Sequence, residues 1–310
     1  MSIGRAAPER RPNHPVGRVL EPLRRAIRNR LARLPAPLAE FILFGLKQAW
    51  ACLFAGLMLG LLIGTKWLWD PTWPVHRYDA LFVAAITIQL TFLALDMETL
   101  DEAKVILFYH LVGTLMELFK THVGSWTYPE PALFRIAGVP LFTGFMYASV
   151  GSYMARVIRI FDMRFTRYPA RGWAIALALA IYANFFAHHY LPDLRYGLFA
   201  ATIVLFWRVR IYFTVDTVPR WMPLLVAALL TAVFLWIAEN IGTATGTWLY
   251  PGRSPGTLVS LGKLGSWYLL LVVSFVLVTL VNKPRPPDTA LADSSRVAEP
   301  GSNRAEEAVP

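Results

Sequence analysis

The sequence predicts an all-α, polytopic transmembrane helix bundle of about eight spans, built as two tandem four-helix repeats in parallel orientation. Three observations predict it. First, 56% of the 310 residues are apolar and only 16% are charged, and mean hydropathy is +0.46. That is a membrane composition. Second, eight apolar stretches recur along the chain, each near the roughly 20 residues that cross hydrocarbon. Third, a thirteen-residue pattern occurs twice without a gap. Glu117, Thr121, Gly124, Trp126, Tyr128 and Pro129 recur at the spacing of Glu239, Thr243, Gly246, Trp248, Tyr250 and Pro251. Trp and Tyr are uncommon residues, so the match points to a duplicated architecture.

Residues 1–37 form a basic cytoplasmic segment. Within it Leu20, Leu23, Ile27, Leu31 and Leu34 recur at helical spacing between arginines, which predicts an amphipathic helix on the membrane surface. An Arg-rich transit peptide is the rival, and Glu9 and Glu21 weigh against it. The first repeat, residues 38–160, holds spans at about 42–65, 79–96, 104–122 and 133–157. The second, residues 161–283, holds spans at about 172–190, 194–213, 221–242 and 257–281. The tail, 284–310, is rich in Pro, Ala, Ser and Glu, a composition that predicts disorder.

Arginine placement orients the spans. The basic segment, the loop with Arg156, Arg159, Arg164, Arg167 and Arg171, the loop with Arg208, Arg210 and Arg220, and the flank with Lys283 and Arg285 fall on one side if there are eight spans. That side is the cytoplasm, so both termini are cytoplasmic in a cell (inner) membrane and both motifs face outward. Four spans separate the two copies. An even number gives the halves one orientation, related by a pseudo-two-fold along the membrane normal. The second and sixth spans are weak, with uncharged cores Ala80–Leu95 and Tyr196–Trp207. Paired short segments point to a site between repeats. A re-entrant sixth span would move the second motif to the other side.

Glu117 lies in an otherwise apolar run, Phe108–Phe119, and Glu239 ends another, Val226–Ala238. Ionisable groups inside spans are costly and face a cavity or a partner. The glycine seven residues later ends each helix or admits close backbone approach. Trp-x-Tyr places both rings on one side of an extended turn. The pattern predicts an outward-facing pocket with Glu117 and Glu239 as acid/base groups and Trp126, Tyr128, Trp248 and Tyr250 as walls. The plainer alternative pairs each glutamate with an arginine or a backbone group and puts the aromatics in the interfacial belt. A Pro-x-x-Arg-Tyr element precedes each copy, at Pro74–Tyr78 and Pro192–Tyr196. Arg77 and Arg195, with Tyr78 and Tyr196, are candidates to hold a substrate's polar end, because guanidinium grips phosphate or carboxylate bidentately. A structural Arg–Glu pair or a snorkelling flank is the alternative.

One cysteine, Cys52, rules out an intramolecular disulfide and a Cys-based metal site. No His-x3-His or His-Glu-x2-His spacing appears, so no metal or cofactor is predicted. His110, seven residues before Glu117, shares its helix face and can tune it. The net charge of +10 sits mostly in the first 35 residues and in short loops. That distribution suits membrane lipids rather than nucleic acid. The expected partners are membrane lipids and an unidentified lipid or small-molecule substrate.

Glu-Phe-Ile-Leu-Phe-Gly-Leu-Lys-Gln-Ala at 40–49, Cys52-Leu-Phe, and Glu117…Trp126-Thr-Tyr128-Pro129 resemble the YoaT-like family of uncharacterised bacterial multi-pass membrane proteins, over roughly residues 38–283. The resemblance implies membrane location and several spans, with no activity attached. More loosely, Glu117, Gly124, Trp126 and Tyr128, with Glu239, Gly246, Trp248 and Tyr250, look like the membrane-bound carotenoid hydratases and lycopene cyclases. In those enzymes helix-end acids are thought to protonate polyene double bonds. The expected functions are therefore an enzyme on a lipidic, isoprenoid-like substrate, a transporter or permease with intramembrane carboxylates, or a non-catalytic scaffold.

Overall fold

The computed structural model describes residues 15–252 and 256–287. Most of the tail expected to be disordered, and the first fourteen residues of the basic segment, lie outside the described residues. Helix α1 (Pro15–Leu31) takes in Leu20, Leu23, Ile27 and Leu31, while Leu34 falls just beyond it.

The first expected span is two helices, α2 (Ala36–Ala51) and α3 (Leu53–Leu68), meeting at Cys52 with a bend of 70°. Arg156 donates to the Trp50 carbonyl at 2.8 Å, in the last turn of α2. Carbonyls there lack helical partners and carry the negative end of the helix dipole, so a guanidinium is well placed. Helix α4 (Arg77–Ala94) follows, then α5 (Leu100–His122), which opens on a capping box of Thr99 and Glu102.

Helix α6 (Phe142–Ile160) begins later than the fourth expected span. A hairpin of β1 (Arg135–Ile136) and β2 (Val139–Pro140) occupies the difference, and its last residue, Pro140, does not fit a helix interior. Helix α7 (Arg171–Ala187) leads to α8 (Arg195–Phe206), and α9 (Leu224–Ala244) and α10 (Leu261–Val281) complete the bundle. The sixth expected span is the one most corrected. Helix α8 has 12 residues, about 18 Å of helix, against a hydrocarbon core of about 30 Å. The β-branched and aromatic run after it forms β4 (Arg210–Thr214), in keeping with its strand preference. Strand β4 pairs antiparallel with both β3 (Arg164–Thr166) and β5 (Pro219–Pro223). The fold is helical, with two small sheets, rather than all-α.

Contacts sort the helix ends into two groups. At one end lies the three-stranded sheet. There Arg220 binds Glu40 of α2, Arg159 of α6 binds Glu102 of α5, and the Phe165 N–H donates to the Arg285 carbonyl beyond α10. At the other end Arg77, opening α4, binds Glu130, and the loops after α5 and α9 pair with each other. Taking α2 and α3 together, successive helices run alternately between these ends.

Helices α4, α9 and α10 are long and apolar enough to cross a membrane, and α2 with α3 makes a fourth span if the bent pair counts as one. The chain is a helical membrane protein. Helices α7 and α8 are apolar but shorter. Several charges on and beside α5 and α6 are paired internally: Glu98 meets Arg156 at 3.6 Å with both side chains fully buried, and Glu102 meets Arg159 at 2.7 Å.

Helix α6 is central, packed against α2, α3, α4, α5 and α10. Its contact with α5 is close because small residues face large ones. A Cβ on Gly113 would come within 2.6 Å of the Tyr147 side chain, so only glycine admits that ring. Small residues of this kind let helices approach where water supplies little driving force.

Glu98→Ala leaves Arg156 buried without its carboxylate, and removing one member of a buried pair costs about 3–5 kcal/mol. Thermal unfolding in detergent should show a large loss of stability. Arg220→Ala, which breaks a largely exposed pair, should cost less than about 1 kcal/mol.

Candidate functional site

The repeated motif begins in a helix and ends in a loop, and both copies fold alike. After Glu117, α5 ends with Gly124 at φ +70°, and after Glu239, α9 ends with Gly246 at φ +66°. Glycine takes this left-handed turn without a Cβ clash. In each copy two N–H groups bond back into the last turn: Gly124 to Thr121 and Ser125 to Lys120, Gly246 to Thr243 and Thr247 to Gly242. This is a Schellman cap, which satisfies orphan carbonyls and reverses the chain.

The reversal carries Trp and Tyr back to the glutamate of the same copy. Trp126 Nε1 and Tyr128 OH donate to Glu117 Oε2 at 2.7 and 2.5 Å. Trp248 Nε1 and Tyr250 OH donate to Glu239 Oε1 at 2.9 and 2.5 Å. The first copy gains a third donor, Tyr147 of α6, at 2.7 Å from Glu117 Oε1. Each glutamate therefore clasps its own loop. Among the described residues neither makes an ion pair with arginine. Both are buried, as is Trp126, so that indole serves a carboxylate rather than an interfacial belt.

The two clasped loops then meet. Thr127, between Trp126 and Tyr128, exchanges backbone hydrogen bonds of 3.0 and 2.9 Å with Leu249, between Trp248 and Tyr250. Equivalent residues pair with each other, and Trp126 packs edge-on against Tyr250 at 6.1 Å. The second copy also needs a glycine in the helix. A Cβ on Gly242 would lie 2.0 Å from the Trp248 ring.

Both glutamates and all four motif aromatics line one cavity of about 1060 Å³. Its wall continues through Lys120, Lys263, His188 and His189 at the loop end to Phe44, Phe161 and Phe213 near the sheet. Of the Pro-x-x-Arg-Tyr residues only Arg195 lines this cavity. Arg77 is buried and fixed bidentately by Glu130, with nitrogen–oxygen distances of 2.8 Å. Tyr78 donates to the Thr247 carbonyl at 2.7 Å and packs on Tyr128. Arg77 thus braces the first loop and Tyr78 the second, both from outside the cavity. Tyr196 is 81% exposed and takes no part. The halves differ here because Glu130 is matched by Gly252 in the second copy, so Arg195 bonds to Asp193 instead. Burial opposes the charged form of Asp193, yet hydrogen bonds from Asn184 and from the Arg195 side chain and backbone together hold its carboxyl below its ordinary range.

Sequence reasoning missed Tyr147, Lys120, Lys263 and Glu130. The two lysines carried a signal, as cations near apolar helical runs. Tyr147 and Glu130 carried none, because their roles arise from tertiary contact. His110 packs its ring on Phe145 at 4.5 Å and makes no bond to Glu117.

These features define a helical membrane protein in which two glutamate-clasped loops close one internal cavity. The chain belongs to the family described as protein of unknown function (DUF817), whose model matches residues 40–275. It is 40% identical over 259 residues to the uncharacterized protein YoaT of Bacillus subtilis (strain 168), covering 83% of this chain and 97% of that one. Two solved structures are also similar. A cross-linked trimer of MvINS gives a TM-score of 0.45 at 16% identity, covering 62% of this chain and 98% of that chain. MvINS of Mycobacterium vanbaalenii, a mycobacterial Insig homolog, gives 0.44 at 14%, covering 61% and 98%.

Gly242→Ala should displace Trp248 and break its bond to Glu239. Overpacking of this kind costs about 1–3 kcal/mol, read as a lower melting temperature with altered tryptophan fluorescence. Gly172→Ala in α7, with open space around it, should leave both unchanged.

Proposed function

We propose that the protein is an enzyme acting on a lipidic, isoprenoid-like substrate, with Glu117 and Glu239 as its acid/base pair. One observation carries this reading: two carboxyls far apart in the chain line a single cavity large enough for a lipid chain. Each carboxyl is bonded to a tyrosine hydroxyl, so a proton can pass between them and a substrate atom held within reach. Trp126, Tyr128, Trp248 and Tyr250 form the wall around that atom, and Arg195 stands at the cavity edge. The substrate's chain follows the apolar wall toward the sheet.

The setting is a cell (inner) membrane in which eight helical segments, with α2 and α3 counted as one and α8 short of a full span, alternate between the two faces, with both termini cytoplasmic and the clasped loops outside. The alternating helix ends support this topology, as does the clustering of Arg164, Arg210 and Arg220 on the sheet, since arginine marks the cytoplasmic side. The matching bonds within the two clasps support two parallel repeats, and α1 lies on the cytoplasmic membrane surface. Transport is a second reading, favoured by one feature: Ser125 and Met222, from opposite ends of the bundle, line the same cavity.

The test is lipid mass spectrometry on cells making the wild type or Glu117→Gln/Glu239→Gln at equal membrane levels. Loss of an acid/base group lowers rates by roughly 10²–10⁴-fold, so a lipid formed by the wild type should vanish from the variant. An identical product level in the double variant would sink the enzyme reading. Solute-dependent flux in sealed vesicles, with unchanged lipids, would replace it by transport.

A further inference from the structure

The two copies share a backbone but not a charge. Three residues after the glutamate stands Lys120 in the first copy and Gly242 in the second. Lys120 is only 2% exposed. Its ammonium donates to the Phe185 carbonyl at 2.5 Å, meets His189 Nε2 at 2.9 Å and lies 4.0 Å from the centre of the Phe185 ring. Among the described residues no carboxylate stands within ion-pair distance of it. An ammonium has three donors, so one remains for a ligand.

More cations gather on the same wall. Lys263 lies over Tyr250 and Trp126, at 4.3 and 5.5 Å from their ring centres. Arg195 lines the cavity and gives its Nε to Asp193. His188 and His189 complete the group. Nearby acids do not answer Lys120: Asp193 is engaged by Arg195 and Asn184, and the clasps occupy Glu117 and Glu239. A buried cation needs a counter-charge, and this cluster lies at one end of a long apolar cavity.

We propose that Lys120, Lys263 and Arg195 seat a phosphate group, the polar end of the lipid substrate. This rests on the lipid reading above and names its head-group class. Phosphate fits better than carboxylate because its extra oxygens and charge match three converging cations. The apolar tail lies against Phe44, Phe161 and Phe213. The asymmetry then has a purpose: a duplicated frame holds a molecule with a single charged end.

The full-length protein in lipid nanodiscs is titrated with farnesyl phosphate, farnesol and inorganic phosphate, following tryptophan fluorescence. Farnesyl phosphate should bind at least about tenfold more tightly than farnesol, the worth of one charge-assisted hydrogen bond. Lys120→Met and Lys263→Met should each remove that preference, and Lys120→Arg should retain most of it. Equal affinity for the alcohol and the phosphate, unchanged in both Met variants, overturns the phosphate seat and leaves the lipid reading standing. Lys120-dependent binding of inorganic phosphate alone supports the phosphate site, assigns it to free phosphate and removes the lipid reading. Binding of none of the three overturns both.

Discussion

A buried carboxylate that accepts from an indole and a phenol holds the loop end of this protein together. Each glutamate sits in the apolar part of its helix, where an unpartnered charge is costly, and each finds its donors only after a glycine has turned the chain back. The helix end, the loop and the aromatic wall are therefore one unit. Thr127 and Leu249 can pair only when both loops have been drawn into place. Cavity shape follows from that pairing, since the clasped rings are its wall.

The two clasps are alike and their surroundings are not. Arg77 has Glu130 to bind, whereas Arg195 turns to Asp193. Tyr78 reaches across to the second loop, whereas its counterpart Tyr196 faces out. Gly242 yields its space to Trp248, whereas Lys120 places a cation at the same position of the first copy. Like contacts keep the two clasps alike, and unlike residues make the two sides of the cavity chemically distinct.

Much of this was legible in the chain. The doubled motif pointed to Glu117 and Glu239 and to the aromatics that bind them, because Glu, Gly and Trp-x-Tyr at fixed spacing make a local structure. Apolar runs located most of the helices. The bend at Cys52 was hidden, since the apolar run passes through it unbroken and Arg156, which bonds the Trp50 carbonyl beside it, comes from a distant helix. The end of α8 was hidden too, because the apolar residues that resume beyond Arg208 and Arg210, through Tyr212 and Phe213, read equally as helix or strand. Arg77 and Tyr78 were found as a pair, and of the two roles the sequence offered Arg77, substrate grip or a structural tie to a glutamate, the structure places it in the tie. Their partners were hidden, since Glu130 falls one residue beyond the repeated motif and the Thr247 group is a backbone carbonyl that no side-chain pattern marks.

The bond between Thr127 and Leu249 also sets an order on biosynthesis. The chain enters the membrane from its N-terminus, so the first loop is made long before its partner. Until α9 is in place, the backbone around Thr127 has no strand to pair with, and the hydroxyl of Tyr78 has no Thr247 carbonyl to meet. Closure of the cavity is thus a late event in assembly, and a nascent first half has helices but no finished rim. Both loops must be in place before that rim is complete.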